Sequence, residues 1–394
     1  MGKPEIRFKG YTDEWEQRKF SDIVARESSV CTSESDIPSV EYEDVIAEEG
    51  RLNKDIRSKE AIKSGIIFDG SQVLYGKLRP YLHNWLNPDF KGVAVGDWWV
   101  LKPIVMDKNF LYRLIQTQQF DNIANQSSGS KMPRADWNLI SNSKFMVPLS
   151  KEEQSKIGRY FDSLDTLITL HQRKCDEIKS LKKYMLQKMF PQNEQKVPEI
   201  RFKGFTEAWE QRKLNDISDV RDGTHDSPKY QNTGHPFVTS KNVKDGFINY
   251  DDIQFISDED FNEINKRSKV DVNDILMGMI GTIGNMALIR TEPDFAIKNV
   301  ALIKDTKQIN YLYLYHFLHS PFIEKQLSSG MDGGTQKFVS LGNVRNLDIV
   351  YPSEVEQIKL GDYFEHLDHL ITLHQQKCEE LKKIKKFMLQ KMFV

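Results

Sequence analysis

Residues 163–190 read SLDTLITLHQRKCDEIKSLKKYMLQKMF, and residues 366–393 read HLDHLITLHQQKCEELKKIKKFMLQKMF. Beginning just ahead of the first stretch, Phe161, Leu164, Ile168, His171, Cys175, Ile178, Lys182, Met185 and Met189 follow one another at alternating steps of three and four residues. The second stretch repeats the pattern at Phe364, Leu367, Ile371, His374, Cys378, Leu381, Lys385, Met388 and Met392. A seam of period 3.5 held over four heptads predicts a coiled coil rather than a generic amphipathic helix. Neither quoted stretch contains Gly or Pro, and Phe190-Pro191 supplies a stop after the first. At about 1.5 Å per residue each seam is about 42 Å long. One seam requires another, and two of matching length in one chain predict that they pair with each other.

Working outward, a second block is duplicated. Residues 4–23 read PEIRFKGYTDEWEQRKFSDI and residues 198–217 read PEIRFKGFTEAWEQRKLNDI. The short blocks are offset by 194 and the long blocks by 203, so the second intervening region is nine residues longer. The chain is one half written twice. The inserts at 20–150 and 214–352 have drifted apart and keep only echoes: Gly76 in VLYGKL with Gly278 in ILMGMI, SSGS at 127–130 with SSGM at 328–331, FMVP at 145–148 with IVYP at 349–352. Their short runs of apolar residues, broken by Gly, Asn, Asp and Pro, predict strands and turns. A helical stretch is expected near 109–126 and another near 309–327. The expected fold class is α+β in each half.

Composition narrows the function. The chain has 394 residues, of which 39% are hydrophobic and 28% charged, as in a folded globular protein. No uncharged run of 18 or more apolar residues suggests a membrane span. Residues 1–19 have no apolar core or small-residue cleavage site, so no secretory signal is expected. Cys31, Cys175 and Cys378 are too few and too odd in number for a disulfide scaffold and point to a reducing compartment. A formal net charge of -2 disfavours a generically basic nucleic-acid coat but is silent about local patches.

Catalytic motifs are absent. Asn87-Pro88-Asp89-Phe90 has Asp where an adenine methyltransferase loop needs Pro, and reads as a turn. Gly278, Gly281 and Gly284 are spaced unlike a phosphate loop and are followed by no Lys-Ser/Thr, so a strand and turn are expected. His171 with Cys175 and His374 with Cys378 stand at i, i+4 and would make a tetrahedral zinc set if they met. Buried polar residues that set helix register are the favoured reading, and no metal is expected. The inserts instead carry polar, basic loops with aromatics. The first contributes Lys77, Arg79, Tyr81, Lys131 and Arg134; the second contributes Lys229, Tyr230, Lys241, Asn242, Lys298, Asn299, Thr335, Gln336 and Lys337. These residue types hold phosphates and read base edges, with Gln336 suited to adenine and the cations to phosphate or guanine.

With these blocks in view, the whole chain resembles the specificity (S) subunit of type I restriction–modification systems. PEIRFKGFTEAWEQRKL looks like the opening of each half in that family, and LDxLITLHQxKCxELKxxKKxMLQKMF looks like its spacer helix. The resemblance implies two pseudo-symmetric target recognition domains held apart by an antiparallel coiled coil. It divides the chain into an opening segment 1–19, a recognition domain 20–150, a spacer helix 151–192, a linker and second opening segment 193–213, a second recognition domain 214–352 and a last spacer helix 353–394. Each domain is then expected to read half of a split double-stranded DNA target. The helices would set the gap and dock two methyltransferase (M) subunits, and restriction (R) subunits would join them. The resemblance implies no catalysis and no cofactor of the chain's own, with S-adenosylmethionine, ATP and Mg on the partners, and a cytoplasmic location away from membranes. The competing reading is a coiled-coil scaffold whose variable domains bind proteins.

Overall fold

The computed structural model describes residues 2–59, 61–126, 131–192, 195–281, 283–333 and 337–394. The chain forms two compact units: residues 1–173 with 374–394, and residues 174–373. Both are α+β, and each takes part of both long helices. Those helices are Lys151–Lys188 and Glu354–Met392, 38 and 39 residues long. Both therefore start well before the seams do, because their first turns pack on the globular part rather than on a partner helix. Gln154 accepts from the Asp107 amide at 2.7 Å and donates to the Pro148 carbonyl at 2.8 Å. Gln357 repeats this with Asn310 and Pro352, both at 2.9 Å. Gly158 and Gly361 lie in these first turns, where a Cβ would come within 2.6 Å of the Asn109 Cβ and 2.8 Å of the Leu312 Cβ. Glycine there lets a second helix cross at backbone distance.

In the first unit a four-stranded sheet runs in the order Val24–Glu27, Trp98–Pro103, Val73–Gly76, Trp85–Leu86, all antiparallel. A second sheet joins Val30–Thr32, Ser64–Phe68, Gly92–Ala94 and Ser39–Val40, the last pair parallel. Helices Lys108–Leu114 and Gln118–Ala124 replace the single helix expected over 109–126. Thr117 breaks the run because its hydroxyl accepts from the Phe120 amide as an N-cap. The main core gathers Phe20, Trp99, Phe110, Phe120, Phe145 and Phe161 with Leu381, Met392 and Phe393 from the end of the second long helix. The helix segments run antiparallel: Phe161 meets Phe393, Asp165 pairs with Lys385 at 2.7 Å, and His171 meets His374.

The second unit repeats the plan. Its four-stranded sheet runs Val220–Asp222, Val300–Ile303, Ile275–Gly278, Met286–Leu288. Beside it, His235–Thr239 lies between Gln254–Ile256 and Ala296–Lys298. Helices Tyr311–Leu318 and Pro321–Ser329 again divide one expected helix, here at Ser320-Pro321. The helix Asp258–Ser268 has no counterpart among the described residues of the first unit and belongs to the longer insert. Phe190 stacks on Phe364 with ring centroids 5.3 Å apart, and Lys182 pairs with Asp368 at 2.6 Å, so these helix segments are antiparallel too. Every seam position is buried or half-buried, and the two lysines of the seam are the ones neutralised by Asp165 and Asp368.

The repeated opening segments have a structural job. Arg7 makes a bidentate pair with buried Glu153, at 2.6 and 2.8 Å, while Glu5 pairs with Lys391 at 2.6 Å and the Ile6 amide donates to the Lys391 carbonyl. Arg201 does the same with buried Glu356 at 2.7 Å, Glu199 with Lys188, and the Ile200 amide with the Lys188 carbonyl. Each opening segment thus ties the start of one long helix to the end of the other. Among the described residues no helix is long and apolar enough to cross a membrane.

Candidate nucleic-acid interface

The middle of each four-stranded sheet is built alike. Trp98 pairs with Gly76, and Val300 pairs with Gly278. The residue before that strand is Asp97 in the first unit and Asn299 in the second. Its carbonyl is fixed in both. The Tyr42 hydroxyl donates to the Asp97 carbonyl at 2.5 Å and accepts from the Leu78 amide at 3.0 Å. The Ser240 hydroxyl donates to the Asn299 carbonyl and accepts from the Met279 amide at 3.1 Å. A hydroxyl thus bridges the strand entry to the chain leaving the neighbouring strand after its glycine. Burial raises the Tyr42 phenol well above its ordinary value, which keeps that bridge neutral.

Around Asp97 the first unit gathers two of its expected contact residues. Arg134 reaches the carboxylate at 3.0 Å and Lys77 at 3.4 Å. Partial burial would raise the Asp97 carboxyl, but the Arg134 guanidinium and Lys77 ammonium outweigh it and hold it below its ordinary value. The two loops are stitched together by main-chain bonds: the Arg79 amide donates to the Pro133 carbonyl at 2.7 Å, and the Ala135 amide to the Lys77 carbonyl at 2.8 Å. Arg79 stands in the left-handed region at φ 49°, starting a short turn that leaves Tyr81 52% exposed. Lys131 is exposed on the same loop as Arg134.

In the second unit Asn299, also left-handed at φ 51°, meets His225. Its Oδ1 lies 2.6 Å from Nδ1 of the imidazole, whose Nε2 lies 2.9 Å from the Asp222 carboxylate. Arg267 pairs with the other Asp222 oxygen. Lys298 donates to the Ser227 hydroxyl, and a bridge between Thr224 and Lys298 holds that loop to the strand end. Lys229 is exposed, and Tyr230 is half-exposed against Phe237. Lys241 donates to the Asp252 carbonyl at 3.5 Å. Asn242 is buried, its amide fastening its own loop through Thr239 and Asn249. Lys337 is exposed beside the strand that pairs with the main chain at Ile280. Thr335 and Gln336 lie outside the described residues, as does SSGS at 127–130.

Asp97, Asp222 and His225 stand in the polar loops of the two inserts but were not among the expected contact residues. The usable signal was positional: Asp97 and Asn299 each precede a buried strand that registers on an echoed glycine. His171 Nδ1 lies 2.9 Å from His374 Nδ1, whereas Cys378 points to the Ile168 carbonyl at 3.9 Å and Cys175 to the Ile371 carbonyl at 4.0 Å. The described residues that bring three metal-capable groups together are instead His316, Glu365 and Asp368. There Arg290 already holds Glu365, and Lys182 holds Asp368.

An α+β unit is thus present twice, with a matched polar site at the entry of the same central strand. The family model for the type I restriction modification DNA specificity domain matches residues 12–180 and again 206–383, and the chain belongs to that family. It is 22% identical over 293 residues to the type I restriction enzyme MjaVIII specificity subunit of Methanocaldococcus jannaschii, covering 72% of this chain and 68% of that protein. It is 26% identical over 196 residues to the putative MjaX specificity subunit of the same organism, covering 48% of this chain and 46% of that one. In fold it resembles the crystal structure of the type I restriction–modification S subunit from M. genitalium, with a TM-score of 0.59 at 14% identity over 100% of this chain and 99% of that one. A structure describing complex assembly of a type I system gives a TM-score of 0.56 at 17% identity, covering 96% and 97%.

Proposed function

We propose that this chain is the non-catalytic S subunit that directs a type I complex to a bipartite DNA target, each unit reading one half-site in double-stranded DNA. The observation that carries the reading is the recurrence of a fixed strand-entry site, Asp97 in one unit and Asn299 in the other, ringed by loops bearing Lys77, Arg79, Tyr81, Lys131 and Arg134, or Lys229, Tyr230, Lys241 and Lys298. Thr335, Gln336 and Lys337 belong to the same proposal from their sequence alone. The helices set the gap between the half-sites and dock two M subunits, which methylate adenine and take part with R subunits in cleavage. Exposed Leu167, Leu170, Leu181 and Tyr184 on one helix, and Leu373 and Phe387 on the other, support docking of apolar partner surfaces there. S-adenosylmethionine, ATP and Mg then belong to the partners, and the complex works in the cytoplasm. A net charge of -2 fits a subunit whose partners share in enclosing the DNA.

The test is an exchange of residues 214–352 for the corresponding insert of another family member. Adenine-methylation sequencing should show one half of the modified motif replaced and the other half kept. A motif unchanged by the exchange would refute the reading.

A further inference from the structure

We infer that the residue entering the central strand of each unit is the base-specifying position, Asp97 directing the first unit to a G·C pair and Asn299 directing the second to an A·T pair. The inference rests on the DNA-reading proposal above and adds to it which residues discriminate and between which bases.

The carbonyl at this position is held in the same way in both units, although only Asn299 is left-handed, and the side chain differs. In each, the carbonyl is locked by a hydroxyl bridge, from Tyr42 or from Ser240, to the chain leaving the adjacent strand. Such a lock keeps the Cα in place while different side chains are offered from it, which is what a position that varies in specificity requires. The buried strand behind it, with Trp98 and Val300 at 1% and 0% exposure, makes the platform rigid. Asn299 also keeps a left-handed backbone, a conformation uncommon outside glycine but tolerated by Asn.

The chemistry then differs in kind. The Asp97 carboxylate is ionised and only accepts hydrogen bonds, so at a base edge in the major groove it suits the amino group of cytosine. Arg134 lies on the same carboxylate at 3.0 Å. Its guanidinium is placed to meet O6 and N7 of the guanine paired to that cytosine. Acid and base together therefore address both members of one G·C pair. In the second unit the Asp222 carboxylate engages Nε2 of His225, and Nδ1 of the same ring holds the Asn299 amide from one side. Oδ1 keeps a second lone pair beside the amide nitrogen, so an acceptor and a donor stand side by side, the arrangement that matches adenine N6 and N7. His225 is a positioning residue: it fixes the amide plane without itself facing the base.

The experiment uses the complex of the full chain with its methyltransferase partner, purified from its native cells, and a random-sequence duplex library as the probe. Asn299→Gly suits the left-handed backbone and removes only the side chain, so the fold is kept. We expect it to flatten the preference for A·T at one position of one half-site by about tenfold, leaving the other half-site unchanged. Asp97→Asn should weaken a G·C preference in the other half-site only. His225→Ala should blur the same position as Asn299→Gly, and His225→Gln, which keeps a donor and an acceptor, should restore it. If the wild-type complex enriches no motif, the DNA-reading proposal itself fails. If it enriches a bipartite motif that Asn299→Gly and Asp97→Asn both leave intact, or that both variants erase in its two halves together, only the present inference is overturned.

Discussion

Arg113 and His316 stand 203 positions apart, the same offset as the two long helices, and they occupy matched places in the two units. Arg113, 1% exposed, reaches Asp162 and Asp165 at 2.6 Å each. His316, 0% exposed, faces the matched Glu365 and Asp368 at 3.9 Å each, beyond hydrogen-bond reach. The first unit thus fastens its globular part to its helix with a buried, permanently charged fork. The second does so from the surface: Arg290 grips Glu365 at 2.6 Å. In both, the seam lysine completes the cluster, Lys385 on Asp165 and Lys182 on Asp368. One helix pattern of two carboxylates therefore accepts its cation from two different places, and the insert is free to change provided that the charge arrives.

The comparison can be broken most severely at Arg113. Arg113→Ala empties a buried site, leaves Asp162 unpaired and Asp165 with Lys385 alone, and should destabilise the first unit by about 2–5 kcal/mol. Five of the six tryptophans lie in that unit, so tryptophan fluorescence during urea unfolding reports on it directly. A loss below about 1 kcal/mol would mean that the fork is ornamental.

A smaller effect follows from pH. Burial first, and then the nearby ammonium of Lys182 and guanidinium of Arg290, push His316 well below its ordinary 6.5, so the native state holds it neutral. The unfolded chain binds a proton near pH 6.5 that the native chain refuses. Stability from this group is therefore complete above pH 6.5 and declines as the pH falls from there toward the depressed native value. The decline is at most about 1.4 kcal/mol per pH unit. Protection factors of residues 311–318, taken relative to the intrinsic exchange rate at each pH, should fall between pH 6.5 and 5.5, and His316→Leu should flatten that dependence. The matched segment around Arg113 should show no such term, because guanidinium stays charged throughout.

The smallest effect belongs to Arg290. Its pair with Glu365 is half-exposed, so Arg290→Ala should cost less than about 1 kcal/mol and fade with added salt. A loss as large as that of Arg113→Ala would show that the two fastenings are equivalent in strength after all.

The helix seam was legible because period 3.5 is a purely local pattern: Phe161 through Met189 and Phe364 through Met392 are buried or half-buried along their length, as their spacing requires. The α+β character of the inserts was legible from their turn residues. The seam pattern alone did not reach the helix starts at Lys151 and Glu354, because those first turns answer to the globular part through Gln154, Gly158, Gln357 and Gly361. The breaks at Thr117 and Ser320 carried a signal, since both are ordinary N-cap residues inside an apolar run. The site was half visible. Lys77, Arg134, Lys298 and Asn299 stood out by residue type, but Asp97, Asp222 and His225 depend on contacts across 37, 45 and 74 positions of chain. Only the folded chain reveals such pairings.

The division of the chain also orders its manufacture. The second unit, residues 174–373, is one continuous stretch, and its whole sequence is present once residue 373 has left the ribosome. The first unit, begun earlier, waits for residues 374–394, because Leu381, Met392 and Phe393 belong to its core and Lys391 to its opening clamp. The domain whose synthesis starts first is the one whose folding finishes last. Until then its apolar helix face, from Phe161 through Ile168, lacks the strand of chain that covers it, and it is in that interval that the nascent protein is most exposed to aggregation.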